Sequence, residues 1–320
     1  MKELTINQLE GILNKKIIKR KSIYLSEHVR VIEKLTTEDS MILIKYGDDK
    51  GLKNEITMYN KVLSGSQDPV PKSFVCKKID NDICLLALEW VDGVHPNFRD
   101  TNHIKKVFPS LGIWVAEWSV KIEKLQEVSK VELSAFSILN QLLEEHQLRL
   151  SNMLGSTLID LLYQCISYQE VVIQNLQSFP LTLDPGDISL HNIILNAEGK
   201  VIFIDFESCS VRPMIMVVEH LGEDYESIPY KKTDIEEALM SYLDAWNSLA
   251  QTVITKKKFN QGHLCARIYY KIGDFNYWIT SIIEEHHIKE TKEWIDRGEQ
   301  QLYELLKKLE NETTHPGGLA

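Results

Sequence analysis

The chain has 320 residues, 36 basic and 46 acidic, for a formal net charge of −10, a poor match to a nucleic-acid phosphate backbone. Hydrophobic residues make up 43% and charged residues 26%, enough apolar mass for a sizeable core and too much for a disordered chain. No apolar run approaches the roughly 18 residues of a membrane helix; the longest, Ile83 to Val91, is broken by Glu89, so no membrane partner is expected.

The opening Met1-Lys2-Glu3-Leu4 lacks the apolar stretch of a signal peptide. The cysteines Cys76, Cys84, Cys165, Cys209 and Cys265 form no Cys-x-x-Cys pair, which reads as reduced thiols in a cytoplasmic protein. Short runs rich in β-branched and aliphatic residues predict strands over Ser22–Ser26, Val29–Leu35 and Ser40–Tyr46. Over Gly51–Leu63 the period changes: Leu52, Ile56, Tyr59 and Leu63 fall three and four apart, a helical face. Two more strands, Ser73–Ile79 and Ile83–Trp90, flank the turn Asp80-Asn81-Asp82, and Val91 to Pro96 breaks the pattern as a hinge.

Beyond the hinge the chain reads as mainly helical. Leu111, Val115, Trp118, Ile122 and Leu125 make one amphipathic stripe and Phe136–Leu150 another, while Ile288–Leu309 is the most regular of the later helices. One β interruption stands among them: Asn192–Leu195 and Val201–Phe206 flank Asn196-Ala197-Glu198-Gly199-Lys200, with glycine available for a left-handed position.

The chemistry concentrates around that hairpin. Leu183-Asp184-Pro185-Gly186-Asp187-Ile188-Ser189-Leu190-His191-Asn192 offers a loop carboxylate and, five positions on, a carboxamide entering a strand. Ile204-Asp205-Phe206-Glu207 ends the next strand with a second carboxylate, which the hairpin brings beside Asn192. Two hard oxygen donors there suit Mg²⁺, which binds few protein ligands and fills its shell with phosphate oxygens. Asp187 is free to accept a hydroxyl proton. Asp-x-x-x-x-Asn followed by a strand-end Asp is the spacing kinases use for phosphoryl transfer. Upstream, Lys45 closes a strand where an ammonium reaches the α- and β-phosphates, and Glu55, ten residues on, is placed to pair with it. Leu88-Glu89-Trp90-Val91 offers backbone groups to a purine edge.

On these residues the sequence resembles the aminoglycoside phosphotransferase and choline kinase superfamily, small-molecule kinases, from about the second strand to the helices after Glu207. The resemblance implies an α+β, protein-kinase-like two-lobed fold: a small antiparallel β lobe of five strands with one helix, then a large mainly helical lobe. It implies a nucleotide-binding lobe over 1–91 and a catalytic and acceptor-binding lobe over 92–310, with 311–320 a frayed tail. Asp187 would be the catalytic base, Asn192 and Asp205 the Mg²⁺ ligands, and Lys45 and Glu55 the phosphate-anchoring pair. Glu89 and Val91 would bind the purine of ATP or GTP, and Ser26 belongs to the phosphate-covering turn. The expected partner is a small hydroxyl acceptor, aminoglycoside-like and cationic, or else choline, ethanolamine, homoserine or a sugar. The rival is a catalytically silent nucleotide or ligand binder on the same fold.

Three features depart from the family pattern. Pro185 replaces the usual His before Gly-Asp, as choline kinases also depart from His there. The phosphate-covering turn Leu25-Ser26-Glu27-His28-Val29 holds no glycine. The stretch Arg212-Pro213-Met214-Ile215-Met216-Val217-Val218-Glu219 lacks the further Asp that the family carries.

Other motifs have plainer readings. His286-His287 point about 100° apart on a helix and make a poor chelate. Tyr269, Tyr270, Phe275, Tyr277 and Trp278 fit core packing or a cation–π site. Glu223, Asp224, Glu226, Asp234, Glu236 and Glu237 fit a solvated face or an attraction for a polyamine. Cys209 reads as a packed thiol, and Glu207 as either a third metal-site carboxylate or a structural one.

Overall fold

The computed structural model describes residues 3–25, 30–63, 69–79, 83–226, 232–286 and 288–314. A short helix, α1 (Ile6–Leu13), comes first. Its Thr5 cap accepts from the Gln8 amide, and the Gln8 side chain accepts from the Thr5 amide, a reciprocal box. The sequence reading places no helix here, because with only Leu9 and Leu13 buried the stripe is too short to declare a period.

There follow β1 (Ile17–Leu25), β2 (Arg30–Thr37), β3 (Met41–Gly47), α2 (Lys50–Lys61), β4 (Ser73–Lys78) and β5 (Cys84–Glu89). The strands form one antiparallel sheet in the order β1-β2-β3-β5-β4. β1 starts five residues earlier than expected, since Ile17-Ile18-Lys19-Arg20-Lys21 looks too charged for a strand. It is an edge strand, where lysines are common and blunt unwanted pairing. Alternation sets the two faces. Ile42, Ile44 and Tyr46 turn into a core shared with Leu9 and Leu13 of α1, so Leu43 and Lys45 face the opposite side. The turn Asp80-Asn81-Asp82 lies outside the described residues.

The chain continues as β6 (Gly93–Val94), α3 (Thr101–Val120), α4 (Ala135–Leu154), α5 (Ser156–Ser167), α6 (Gln169–Gln177), β7 (Leu181–Asp184), β8 (Ile193–Asn196), β9 (Val201–Phe203) and β10 (Ser210–Pro213). α7 (Met214–Glu226), α8 (Lys232–Leu249), α9 (Lys256–Ile283) and α10 (Ile288–Thr314) complete it. The expected stripe from Leu111 to Leu125 is divided: α3 ends at Val120, and Ile122–Leu125 form a separate 3₁₀ turn. α4 covers Phe136–Leu150 but kinks at His146. α10 runs past Glu310 to Thr314.

Two compact units are built from interleaved segments: 1–130, 181–212 and 220–253 make the first, and 131–180, 213–219 and 254–320 the second. In the first, Trp114 of α3 donates to the Leu183 carbonyl at 3.0 Å and packs on Phe203 and Phe206. Thr182 donates to the Val115 carbonyl at 2.6 Å, so α3 backs β7 and β9 directly. α3 also packs along α8, where a Cβ on Gly112 would sit 2.4 Å from the Tyr242 carbonyl oxygen. In the second unit Tyr269 and Phe275 are buried while Tyr277 is 66% exposed. The aromatic residues therefore divide between core and surface. The α+β expectation, a five-stranded antiparallel sheet with the rest mainly helical, describes this chain.

Candidate functional site

Lys45 reaches from β3 away from the α1 core and is nearly buried, at 5% exposure. Its Nζ donates to Glu55 Oε2 at 2.8 Å and to Asp205 Oδ1 at 2.7 Å. Glu55 meets it because β3 feeds α2 through the two residues Asp48-Asp49, and the inward stripe of α2 includes Glu55 between Leu52 and Tyr59. Glu55 is fully buried, and its Oε1 accepts the Phe206 amide at 3.4 Å. Burial opposes the Lys45 charge, yet Glu55 and Asp205 outweigh it and hold its pKa above the ordinary lysine value. Burial, reinforced by the Asp205 charge, pushes the Glu55 carboxyl up despite Lys45.

The β8–β9 hairpin pairs Ile193 with Phe203. That register sets Asn192 beside the residues after β9, and the Ile204 amide donates to the Asn192 carbonyl at 2.9 Å. Asn192 lies in a 3₁₀ turn, Leu190–Asn192, just before the strand rather than within it. β9 likewise stops at Phe203, and Asp205 turns out of it with φ of 66°, a left-handed conformation that Asp tolerates better than bulkier residues. Asn192 Nδ2 donates to the Asp187 carbonyl at 2.8 Å and to Asp187 Oδ2 at 3.2 Å, which orients the exposed Asp187 carboxylate. The neighbouring Gly186 has φ of 106°, and a Cβ there would come within 2.6 Å of the Ser208 carbonyl carbon. Gly186→Ala is therefore expected to cost about 1–3 kcal/mol in backbone strain alone, read as a lower urea midpoint with an unchanged slope.

A cleft of about 360 Å³ runs past these residues. Ile23, Ile32 and Leu43 line it from the sheet, Ile194 and Ile204 from the hairpin, and Glu89, Trp90 and Val91 from the end of β5. Lys45, Asn192 and Asp205 line it as well; Asp187 does not, standing one hydrogen bond away through Asn192. The Glu89 amide donates to the Lys72 carbonyl at 2.8 Å and the Trp90 amide to the Met41 carbonyl at 3.0 Å, so these donors serve the sheet. Ser26 and the turn around it lie outside the described residues. For a divalent cation, the cleft offers the Asn192 amide oxygen and the Asp205 carboxylate, hard donors that fit Mg²⁺.

Several neighbours escape a sequence reading. His95 and His191 line the cleft with rings 6.0 Å apart, and His95 Nδ1 lies 3.0 Å from the Ile193 carbonyl oxygen. Glu207 turns to Arg30 of β2, at 2.6 Å, which favours its structural reading. Arg30 also forks onto Asp49, the cap of α2. Asp184, fully buried at the end of β7, pairs with Arg212 of β10 at 2.6 Å. The Cys209 thiol donates to the Asp184 carbonyl at 2.9 Å and its pKa is pushed well up by burial, in keeping with a packed thiol. His286 is exposed beside Glu284; His287 and the side chains of Glu223, Asp224, Glu226 and Asp234 lie outside the described residues.

Burial pushes the Asp49 carboxyl up, but Arg30 and the Leu52 amide more than offset this and hold it below the usual carboxylate range. A depressed carboxylate stabilises the fold above its unfolded pKa, about 3.9, and that contribution is lost as pH falls through the folded value. The stability gap between the chain and Asp49→Asn, which keeps the cap, is thus expected to be constant from pH 5 to 7 and to close below about pH 4. A gap that does not narrow at all as pH falls below about 4 would show that charge is not its source.

No protein-family model matches the sequence, and no curated protein matches it. Solved structures do match. An aminoglycoside phosphotransferase from Alicyclobacillus acidocaldarius superposes with TM-score 0.62 at 12% identity, over 97% of this chain and 98% of that one. A choline kinase from Cryptosporidium parvum gives 0.60 at 13%, over 93% and 91%. A spectinomycin phosphotransferase, solved with ADP and spectinomycin, gives 0.58 at 11%, over 94% and 95%. The chain has the aminoglycoside phosphotransferase fold. Near-complete coverage in both directions means that this phosphotransferase fold accounts for the α4–α6 and α9–α10 segments as well as for the sheet.

Proposed function

We propose that the chain is a small-molecule kinase that transfers the γ-phosphate of ATP or GTP to a hydroxyl group. The observation that carries this reading is one cleft lined by Lys45, Asn192 and Asp205, with Glu55 paired to Lys45 and Asp187 one hydrogen bond away through Asn192. In this reading the base lies between Ile23, Ile32 and Leu43 on one side and Ile194 and Ile204 on the other, with its edge toward Glu89 and Val91. Lys45, held by Glu55, neutralises the α- and β-phosphates, and Ser26 belongs to the turn over them. Bound Mg²⁺, held by Asn192 and Asp205, supplies further neutralisation of the phosphate oxygens. Asp187 accepts the hydroxyl proton and aims the oxygen, its carboxylate held by Asn192. Positioning and electrostatics then carry the rate, at about 1–100 per second for an ordinary kinase.

Residues 1–91 serve the nucleotide and 92–310 the chemistry and the acceptor, in a cytoplasmic setting. The net charge of −10 favours a cationic acceptor, aminoglycoside-like or an amino alcohol, over an anionic one. Homoserine and sugars stay within the same hydroxyl class.

The thermal midpoint with Mg·ATP, Mg·GTP and each nucleotide without metal tests the cleft. At about a hundred times the dissociation constant, binding stabilises by roughly 2.7 kcal/mol. A metal-dependent rise, followed by phosphate transfer from labelled nucleotide to an acceptor panel, is the expected result. A rise without transfer to any acceptor would favour the silent binder, the reading that Pro185 supports. No rise at millimolar nucleotide would sink both.

A further inference from the structure

We infer that the buried Asp184–Arg212 pair braces the loop that carries Asp187, making both residues positioning residues for the reaction proposed above, on which this inference rests. Asp184 ends β7 three residues before Asp187. Its carboxylate faces two ways: Oδ1 accepts the Gly186 amide at 2.9 Å, and Oδ2 meets Arg212 Nε at 2.6 Å. Its carbonyl accepts the Cys209 thiol. The Arg212 guanidinium donates to Ser210 Oγ as well, at 2.8 Å from Nη2. β10, which carries Arg212, is itself fixed: Val211 donates to the Ser129 carbonyl at 2.8 Å and bridges to Lys130 in parallel. Gly186 then packs flat against Ser208 and Cys209, leaving no room for a side chain. The turn between Asp184 and Asp187 is thus held by a charge pair beneath it, a backbone contact beside it and the fixed φ of Pro185.

Stability alone does not account for such a pair. Burying two charges costs solvation that their attraction barely repays, and apolar residues of like volume usually serve as well or better. What the pair supplies is direction: Arg212 Nε holds Oδ2, which leaves Oδ1 aimed at the Gly186 amide next to the catalytic position. It also answers two departures in the sequence. Pro185 brings no imidazole to hold the loop, and 212–219 brings no Asp. Here the acid sits on the strand leading into the loop and the base on the strand that follows the hairpin.

The test compares Arg212→Lys and the double variant Asp184→Asn/Arg212→Met, which removes both charges together. Each is scored by Mg·ATP hydrolysis, by the Mg·ATP thermal shift, and by amide hydrogen exchange across 183–192. Arg212→Lys is expected to keep the thermal shift and a KM for ATP within about twofold, while kcat falls about 10²-fold, the cost of a misplacement near 1 Å. Exchange at Gly186 and Asp187 is expected to quicken at least tenfold. The double variant is expected to unfold at the wild-type temperature yet show the same loss of kcat. Wild-type kcat and exchange in either folded variant would overturn the inference, and if Arg212→Lys fails to fold, the double variant decides. If the wild-type chain shows neither thermal shift nor hydrolysis, the kinase reading is what has failed, and the exchange comparison still decides whether the pair braces the loop.

Discussion

Asp205→Asn is expected to cut metal-dependent phosphate transfer by about 10³-fold while the chain stays folded. Asn is the informative replacement because Asp205 sits at φ of 66°, where Asn is at ease and Ala is strained. The backbone that follows β9 therefore keeps its path, and the Ile204 amide keeps its bond to Asn192. What disappears is one negative charge facing the cleft. Lys45 retains Glu55 as partner, so the charge left behind is paired. The magnesium-dependent part of the nucleotide thermal shift is expected to vanish, with any metal-independent part unchanged. Turnover within tenfold of wild type, on an acceptor that the wild-type chain phosphorylates, would refute the assignment of Asp205.

Glu55→Ala is expected to cost about 2–4 kcal/mol, from an orphaned buried amide, a cavity and one lost partner of Lys45, with Asp205 still pairing the ammonium. Glu55 is fully buried and Lys45 nearly so, and the substitution removes one of the two carboxylates that compensate the ammonium. The Phe206 amide also loses its acceptor, next to a ring that packs on Tyr59 and Trp114. A double change, Lys45→Met with Glu55→Leu, is expected to recover most of the stability and none of the transfer activity, since it removes the charges together. Urea unfolding of these two variants beside the unsubstituted chain measures this. A loss below about 1 kcal/mol for Glu55→Ala would show that Asp205 compensates the ammonium without help from Glu55.

The elements of the sheet and the hairpin were legible in the sequence because each rests on local pattern: alternation over β2 and β3, period change over α2, a glycine-bearing turn between β8 and β9. The pairings at the candidate site were legible for another reason. Lys45 with Glu55, and Asp187 with Asn192, lie ten and five positions apart, within one strand–helix step and one loop. What escaped depends on long-range pairing. Arg212 and Asp184 are 28 positions apart, and Arg30 and Glu207 are 177 apart; nothing local marks either pair. His191 reads as an ordinary polar residue until β6 pairs with β8 and brings His95 beside it. The division of the stripe at Val120 likewise follows from where α3 must end to let the chain turn, which periodicity alone does not encode.

The interleaving of segments has a consequence for biosynthesis. The unit that holds the cleft is assembled from 1–130, 181–212 and 220–253, with α8 lying along α3 at Gly112. The sheet wall of the cleft is complete in sequence at Glu89, yet the opposite wall emerges from the ribosome more than a hundred residues later. At about 5–20 residues per second, the sheet waits several seconds with Ile23, Ile32 and Leu43 uncovered. No contiguous fragment contains the cleft without most of α4–α6 as well, so deletion mapping cannot isolate it. Circular permutation in an exposed loop, which keeps every segment, is the engineering route that this chain order permits.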